Sequence, residues 1–344
     1  MVMLGIMASG ITKSKLLSYI AVAHDTTPYI TTYPFTTSSG FGTKYANPAT
    51  LPSGNSEAIA FTQAGTTVAI GSQGATPVSV YPFASGFGTK YSNPATFPTS
   101  SVLDVAFNPA GTVIVMGNTL TPYVNAYPFT VGTGFGTKYA NPATLPVNKA
   151  TGVAFTTAGT SLAVSTEGSP YVNAYAFSAG WGTKYSNPAT LATGQAQSIA
   201  VNASDNTIAI TSGSTPFVLA YPFTAGTGFG TKYADPATLP TNWANGLSFT
   251  QAGTSLAVAH FTTPFVSIYA WSAGFGTKYS NPATLPTDAG YDVAFNAAGT
   301  ALAISSDATP YVTAYPFTAG TGWGTRYSNP ATLPTGFAHS VAFI

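Results

Sequence analysis

A short segment, Gly-Thr-Lys/Arg-Tyr, recurs seven times along this chain of 344 residues. Its basic residue is, in order, Lys44, Lys90, Lys138, Lys184, Lys232, Lys278 and Arg326. Successive copies lie alternately 46 and 48 residues apart. A constant period of this length indicates an array of similar structural units, so the fold must be interpreted as a repeat architecture.

Each unit contains four short apolar or aromatic segments separated by turn residues. In the unit that contains Lys184, these segments are residues 153–155, 161–164, 171–177 and 181–185. A turn around Gly159 joins the first two as a hairpin, and Pro188 ends the last because proline cannot donate to a strand ladder. Each unit is therefore predicted to form four antiparallel strands.

Four strands in every 46 to 48 residues, with no helical periodicity between them, are typical of a β-propeller blade. We name the strands of a blade a, b, c and d from the central axis outward. The a strand recurs seven times, starting at Ile59, Val105, Val153, Ile199, Leu247, Val293 and Val341. The fold class is therefore predicted to be all-β, a seven-bladed β-propeller.

The two ends of the chain predict how the ring closes. The last a strand stands alone at the C-terminal end, whereas residues 19–23 read as a b strand that lacks an a strand before it. We expect residues 340–344 to pair with residues 19–23, which leaves no exposed sheet edge. The alternative uses residues 10–13 as the missing strand. With closure by the C-terminal strand, residues 16–344 form the propeller and residues 1–15 an N-terminal arm.

The a–b segment, as in residues 153–164, resembles the WD40 pattern of an apolar strand, a tight turn and a second apolar strand. The units depart from that family because Tyr-Pro-Phe stands where Trp-Asp is expected and no Gly-His pair opens them. The longer string Tyr-Pro-Phe, Gly-Phe-Gly-Thr-Lys-Tyr, Asn-Pro-Ala-Thr-Leu-Pro looks like repeats of propeller-containing structural proteins of tailed bacteriophages. That resemblance covers about residues 16–344 and implies a virion component, with no catalytic residue to transfer.

Composition narrows the classes of partner. Charged residues make up 6% of the chain and the net charge is +1, so no broad field attracts nucleic acid or an anionic membrane. The absence of cysteine excludes disulfides and thiolate metal sites. No apolar run is long enough to span a bilayer, and the apolar residues 1–10 lack the basic start of a signal peptide.

The loops differ between units, whereas the strands repeat. The b–c and d–a loops leave the same side of the disc, and they hold all three histidines and seven of the nine acidic residues. We therefore expect that face to be the binding surface, with neutral drift of loop sequences as the alternative. The candidate residues are His24, Asp25, Trp243, His260, Phe261, Tyr291, Phe337 and His339.

Other groups have simpler predicted roles. The seven basic repeat residues are expected to lie over aromatic rings of neighbouring blades, with a belt that grips an acidic partner as the alternative. Asp104 and Asp292 occupy equivalent positions at the start of a strands, and we expect both to be solvated loop ends. His24, His260 and His339 are expected to be surface histidines, although His339 with His24 is a weak candidate for a pH-sensitive or metal site.

These patterns predict a non-enzymatic protein that acts by binding and assembly, without a cofactor or metal. The first choice is a component of a phage particle that contacts other virion proteins, through residues 1–15 in part. The alternative is a glycan-binding module in which Trp243, Phe261, Tyr291 and Phe337 stack on sugars. A lactonase-like enzyme is a distant third choice, because propeller hydrolases need convergent carboxylates or acid–base pairs that the sequence does not reveal.

Overall fold

The computed structural model describes residues 18–98 and 100–344, which form seven antiparallel sheets arranged as blades in a closed ring. This confirms the predicted seven-bladed propeller. The described part of the chain contains no helix that could cross a bilayer. The strands in chain order are β1 (Ser18–His24), β2 (Ile30–Thr36), β3 (Gly40–Phe41), β4 (Ser56–Phe61), β5 (Thr67–Ser72), β6 (Val78–Pro82), β7 (Val102–Phe107), β8 (Val113–Asn118), β9 (Val124–Thr130), β10 (Gly134–Phe135), β11 (Ala150–Phe155), β12 (Ser161–Thr166), β13 (Val172–Phe177), β14 (Trp181–Lys184), β15 (Ile199–Val201), β16 (Thr207–Thr211), β17 (Val218–Thr224), β18 (Gly228–Phe229), β19 (Ala244–Phe249), β20 (Ser255–His260), β21 (Val266–Trp271), β22 (Phe275–Lys278), β23 (Gly290–Phe295), β24 (Ala301–Ser306), β25 (Val312–Thr318), β26 (Gly322–Trp323) and β27 (Ala338–Phe343).

The ring closes through blade 1, whose strand order is β27-β1-β2-β3. Val341 pairs with Val22 and Phe343 with Ile20 in an antiparallel register. Beyond the strand, the backbone amide of Ile344 donates to the carbonyl of Tyr19 at 3.1 Å. The C-terminal strand therefore closes the ring as predicted, and the predicted arm of residues 1–15 lies outside the described residues.

Each blade packs on the next through apolar side chains from strands b and c. Between blades 2 and 3, for example, Ala69 and Val80 contact Ile114, Met116 and Tyr127, all of them buried. Seven such clusters follow one another around the ring. Because each cluster is shared by two blades, the ring has one continuous apolar layer.

The repeated motif residues bind the blades together at the rim. The tyrosine of strand c in five blades donates its hydroxyl to a threonine carbonyl in the Ala-Thr-Leu/Phe-Pro segment of the preceding blade, at 2.7 to 2.9 Å. The repeated lysines donate to the side-chain oxygen three residues later, which is Asn47 after Lys44 and Asp235 after Lys232. These hydrogen bonds explain why both motifs recur without implying a ligand.

The d strands are shorter than predicted. They contain two residues in blades 1, 3, 5 and 7 and four residues in blades 4 and 6, and blade 2 has only a bridge between Phe83 and Phe87. The repeated Gly-Thr-Lys-Tyr segment lies largely beyond the regular ladder. The two four-residue d strands occur where strand c carries Ala176 or Ala270, whereas the other five blades carry proline at that position, which cannot donate to the ladder.

Candidate functional site

One residue from each blade forms a ring at the mouth of the central channel. Each is the second residue of its a strand or the equivalent position, and together they are Glu57, Leu103, Thr151, Gln197, Asn245, Tyr291 and His339. No two of these residues are alike, although the flanking strand residues repeat closely. The ring borders a pocket of about 420 Å³ that also includes Glu167, Gln195, Trp243 and Phe261.

The b–c and d–a loops form the wall around this mouth. They hydrogen-bond to each other within a blade, as between the amide of Phe261 and the carbonyl of Trp243 at 3.2 Å. In the same way, the amide of Asp25 donates to the carbonyl of Phe337 at 3.1 Å, and the amide of Gly213 donates to the carbonyl of Gln195 at 2.8 Å. The variable loops therefore form one supported surface around the pocket.

His339 and Glu57 form the most chemically distinctive contact of the site. The Nδ1 atom of His339 lies 3.2 Å from Oε2 of Glu57, on the neighbouring blade. The other oxygen of Glu57 accepts a hydrogen bond from the side-chain amide of Gln73. A carboxylate that accepts from Nδ1–H leaves Nε2 of the imidazole as a proton acceptor.

The electrostatic surroundings keep this imidazole available as a base. Burial lowers the pKa of His339 below its usual value of 6.5, and the carboxylates of Glu57 and Asp25 partly oppose that effect. A neutral imidazole can accept a proton near neutral pH, which a charged one cannot. The pair therefore has the parts of a general base, with Glu57 as its orienting group.

Aromatic rings continue from this pair along one side of the mouth. The ring centroids are 4.1 Å apart for Phe337 and His339, 4.4 Å for Phe337 and Tyr291, and 5.2 Å for Tyr291 and Phe261. Trp243 lies 6.3 Å beyond Phe261. Trp243, Phe261 and Tyr291 line the pocket, whereas Phe337 packs behind Tyr291 and His339 and positions them.

Amides and a hydroxyl line the pocket on blades 4 to 6, next to the aromatic groups. The hydroxyl of Thr151 donates to the carbonyl of Ala196 at 2.6 Å, and the amide of Asn245 donates to the carbonyl of Gly290 at 3.3 Å. The side chains of Gln195 and Gln197 also line this wall. The pocket thus combines aromatic groups from blades 6 and 7, amide groups from blades 5 and 6, and the imidazole of His339 between Tyr291 and Glu57.

A narrower cavity of about 120 Å³ shares this ring and reaches the next residues of the a strands, including Asp104 and Asp292. Asp104 accepts backbone hydrogen bonds from Val105 and, across the blade interface, from Val153, at 2.8 and 2.7 Å. Asp292 likewise accepts from Val341 at 3.0 Å. The expectation that both are solvated loop ends is wrong, because each carboxylate bridges two a strands.

Protein surrounds both channel carboxyls, although each residue keeps partial exposure to the cavity. Burial raises the pKa of Asp104 to about 7 and that of Asp292 to about 6, against the opposing effect of their backbone hydrogen bonds. Within the described residues, no group of three or more histidine or acidic side chains is placed to hold a metal ion. The two carboxylates therefore act as ties between blades.

Two candidate residues are buried away from the pocket. His24 and His260 end strand b of blades 1 and 6, and their Nε2 atoms lie 3.0 Å from the hydroxyls of Thr31 and Ser267. Burial lowers the pKa of each to about 4. The expectation of surface histidines is wrong for both, since they are neutral core residues.

Sequence reasoning grouped Trp243, Phe261, Tyr291, Phe337 and His339, and the structure brings these five together. It placed Asp25 beside them but did not single out Glu57, Gln197 or Asn245. One signal was present: the position immediately before Asp104 and Asp292 differs in every unit. The predicted role of this face in binding stays a prediction.

No protein-family model matches the sequence, and no curated protein matches it. Solved structures match nearly the whole chain. A Bacteroides fragilis protein provisionally named 6-phosphogluconolactonase matches with a TM-score of 0.75 and 13% identity, covering 97% of this chain and 99% of its own. The periplasmic gluconolactonase PpgL of Pseudomonas aeruginosa matches with a TM-score of 0.70 and 13% identity, covering 95% and 99%.

A WD40-type relationship appears at the level of the fold. The β-propeller domain of Cps50 (Swd1) from Myceliophteria thermophila matches with a TM-score of 0.60 and 12% identity, covering 84% of this chain and 90% of that domain. At such identities, these likenesses show the fold alone. The WD40-like propeller is therefore supported, whereas none of these three structures is named as a virion protein.

The prediction of a non-enzymatic protein is wrong. Propellers that match this chain almost from end to end include proteins named as lactonases, so the fold gives no ground for excluding catalysis. The structure also brings together a carboxylate and an imidazole, those of Glu57 and His339, which the sequence did not reveal as a pair. The structural role in a phage particle and the glycan-binding alternative are withdrawn as functions. The predicted contacts with other proteins and the predicted location are untested and stay predictions. The chain is a seven-bladed β-propeller similar in fold to lactonase propellers.

Proposed function

We propose that this protein is a hydrolase of small, hydroxyl-rich cyclic esters, with the pocket at the channel mouth as its active site. The observation that carries the proposal is the contact of 3.2 Å between His339 and Glu57 in that pocket. The names of the similar propellers support the substrate class, since a lactone is a cyclic ester. The proposal assigns His339 as general base and Glu57 as the residue that orients it.

Lactone hydrolysis needs an activated water molecule and a held ester. In the proposed reaction, Nε2 of His339 takes a proton from water, and the water oxygen bonds to the ester carbonyl carbon. The ring carbon–oxygen bond then breaks, and the proton passes from the imidazolium to the leaving oxygen. The product is an open-chain hydroxy acid, which releases a proton at neutral pH.

The aromatic and the amide groups of the pocket suit the apolar and the polar parts of a sugar-derived ring. Tyr291, Phe261 and Trp243 offer apolar surface to its carbon–hydrogen face. Gln197, Gln195 and Asn245 offer amide donors and acceptors to its hydroxyls. The side-chain amides of Gln195 and Gln197 are candidate donors to the developing oxyanion, and Asn245 keeps a second N–H beside the one that it donates to Gly290.

The test is hydrolysis of D-glucono-1,5-lactone and related aldonolactones, followed with a pH indicator and corrected for spontaneous hydrolysis. We expect a saturable rate that His339→Gln lowers by roughly 100-fold or more, as loss of a general base does. Glu57→Gln keeps an acceptor for Nδ1–H but loses the charge, so its decrease is expected to be smaller. The wild-type rate should rise with pH along an acid limb whose pKa lies below 6.5, because burial lowers that of His339.

The matched control is Asp235→Asn at the outer rim. It makes the same carboxylate-to-amide change as Glu57→Gln, and six other units already carry asparagine at this position. Its rate should equal that of the wild type. A rate in His339→Gln equal to the wild-type rate, or no rate above background across the lactones, would rule the proposal out.

A further inference from the structure

Acidic and basic residues are segregated between the channel mouth and the outer rim of the disc. Seven of the nine acidic residues lie at the channel or on the loops around its mouth: Asp25, Glu57, Asp104, Glu167, Asp288, Asp292 and Asp307. The seven repeated basic residues lie at the outer rim, beyond strand c of each blade. The small net charge therefore hides an acidic mouth and a basic rim.

The pocket itself contains no basic lysine or arginine among its lining residues. Its titratable groups include the carboxylates of Glu57 and Glu167 and the imidazole of His339, whose pKa is lowered by burial. A cation beside this wall is Lys149, whose Nζ lies 3.1 Å from Oε2 of Glu167 in a partly exposed ion pair. A phosphate or carboxylate of a ligand would have to compete with Glu167 for this cation.

Acidic groups outside the pocket act on its residues as well. Burial raises the pKa of the Tyr291 hydroxyl, and the nearby carboxylates of Asp307 and Asp288 raise it further. The carboxylate of Asp25 raises that of His339. Carboxylates from blades 1 and 7 therefore contribute a negative potential where a ligand would lie.

We infer that the substrate of this pocket is a lactone without an anionic group, uncharged or amine-bearing, rather than a sugar phosphate. The inference rests on the proposed function and specifies its substrate class. The inferred substrate therefore differs from the phosphorylated lactone in the name of the Bacteroides fragilis protein. Like charges brought together at a partly enclosed surface repel, and the repulsion weakens with salt.

The same field has a consequence for turnover. The proposed reaction converts an uncharged ester into a carboxylate within a few ångströms of Glu57. The anionic product is repelled by the mouth that admitted the neutral substrate. Product inhibition should accordingly be weak, with the hydroxy acid binding much less tightly than the uncharged ring.

Binding of stable analogues tests the inference separately from catalysis. The probes are D-glucono-1,5-lactam, in which an amide replaces the ester, and its 6-phosphate, titrated calorimetrically into the full chain at low salt. We expect the uncharged lactam to bind at least roughly tenfold more tightly, with a smaller ratio at high salt. Glu167→Gln frees Lys149 and should narrow the ratio by roughly fivefold, whereas Asp235→Asn should leave it unchanged.

The outcomes separate the two proposals. Tighter binding of the uncharged lactam supports the inference even if the lactone is not hydrolysed, in which case the hydrolase proposal fails alone. Equal or tighter binding of the phosphate form overturns the inference even if the lactone is hydrolysed. Failure of both lactams to bind also overturns it, and the hydrolysis assay then decides the proposed function by itself.

Discussion

The outer rim and the channel mouth belong to the same seven blades, yet their sequences follow opposite rules. At the rim, a tyrosine of strand c recurs in every unit and donates to a threonine carbonyl of the preceding blade in five of them. At the mouth, the seven equivalent ring residues are all different. Repetition serves contacts that every blade must make, whereas a site that binds an asymmetric ligand needs a different group from each blade.

The comparison also separates two kinds of charge. Rim cations bind an uncharged amide in most units, as Lys138 does with Asn141, and remain partly exposed. Among the carboxylates at the mouth, Glu57 contacts the imidazole of His339, whereas Asp104 and Asp292 accept backbone hydrogen bonds. The repeated cations are therefore structural ties in this protein. Of the charges that occur in a single unit, Glu57 contacts an imidazole, whereas Asp205 accepts from the backbone amides of Thr157 and Ala158.

The largest expected effect comes from breaking the ring that both regions share. Stopping the chain after Thr335 removes β27 and exposes the edge of β1, including the buried Ile20 and Val22. We expect a loss of unfolding free energy on the order of 5 kcal/mol or more, a large share of the stability of a typical domain. Chemical denaturation measures it.

A peptide of residues 336–344 added to the shortened chain should restore stability, and a scrambled peptide should not. If the shortened chain without peptide has the same unfolding midpoint as the full chain, the ring does not depend on this strand.

Opposed titrations of the channel aspartates and of two buried histidines offer the next test. Asp104 and Asp292 have pKa values raised to about 7 and about 6, so their protonated forms stabilise the folded state and this contribution disappears as the pH rises from about 4 to 7. His24 and His260 have pKa values lowered to about 4, so their contribution disappears as the pH falls from 6.5 to 4. Between pH 4 and 6.5, the two pairs oppose each other.

Replacing both aspartates with asparagine should therefore make the protein lose more stability on acidification than the wild type does. Replacing both histidines with glutamine should have the opposite effect on the slope. Denaturant midpoints measured between pH 4 and 7 give both slopes, and identical slopes in all three proteins would contradict the assigned shifts.

The smallest effect distinguishes rim residues that look identical in sequence. The hydroxyl of Tyr127 donates to Thr96 at 2.7 Å, whereas that of Tyr175 is buried without a hydrogen-bond partner. Tyr127→Phe should lower the free energy of unfolding by about 1 kcal/mol, and Tyr175→Phe should leave it unchanged or raise it. Equal losses in the two variants, measured by denaturation, would show that both hydroxyls are bonded.

Sequence periodicity was sufficient to predict the blade count and the pairing of the last strand, because each unit repeats the same apolar alternation. It overestimated the d strands, since proline in strand c of five blades removes a backbone donor that a longer c–d ladder would use. It also treated His24 and His260 as loop residues, although each is the last residue of a buried strand.

The acid–base pair was harder to predict for a physical reason. Glu57 and His339 come from opposite ends of the chain and meet only because blade 1 takes its a strand from the C-terminal side. Aligning the seven units at the second position of strand a would have placed the two in neighbouring blades. The orientation of their side chains, held by Gln73 and Phe337, still required coordinates.

That circular arrangement has a consequence for biosynthesis. A chain emerging from the ribosome builds six complete blades and most of another before the segment that carries the proposed base is made. Until that segment docks, a nascent or proteolytically clipped molecule has Glu57 without His339. If the proposed function holds, only a molecule whose ring has closed would hydrolyse substrate.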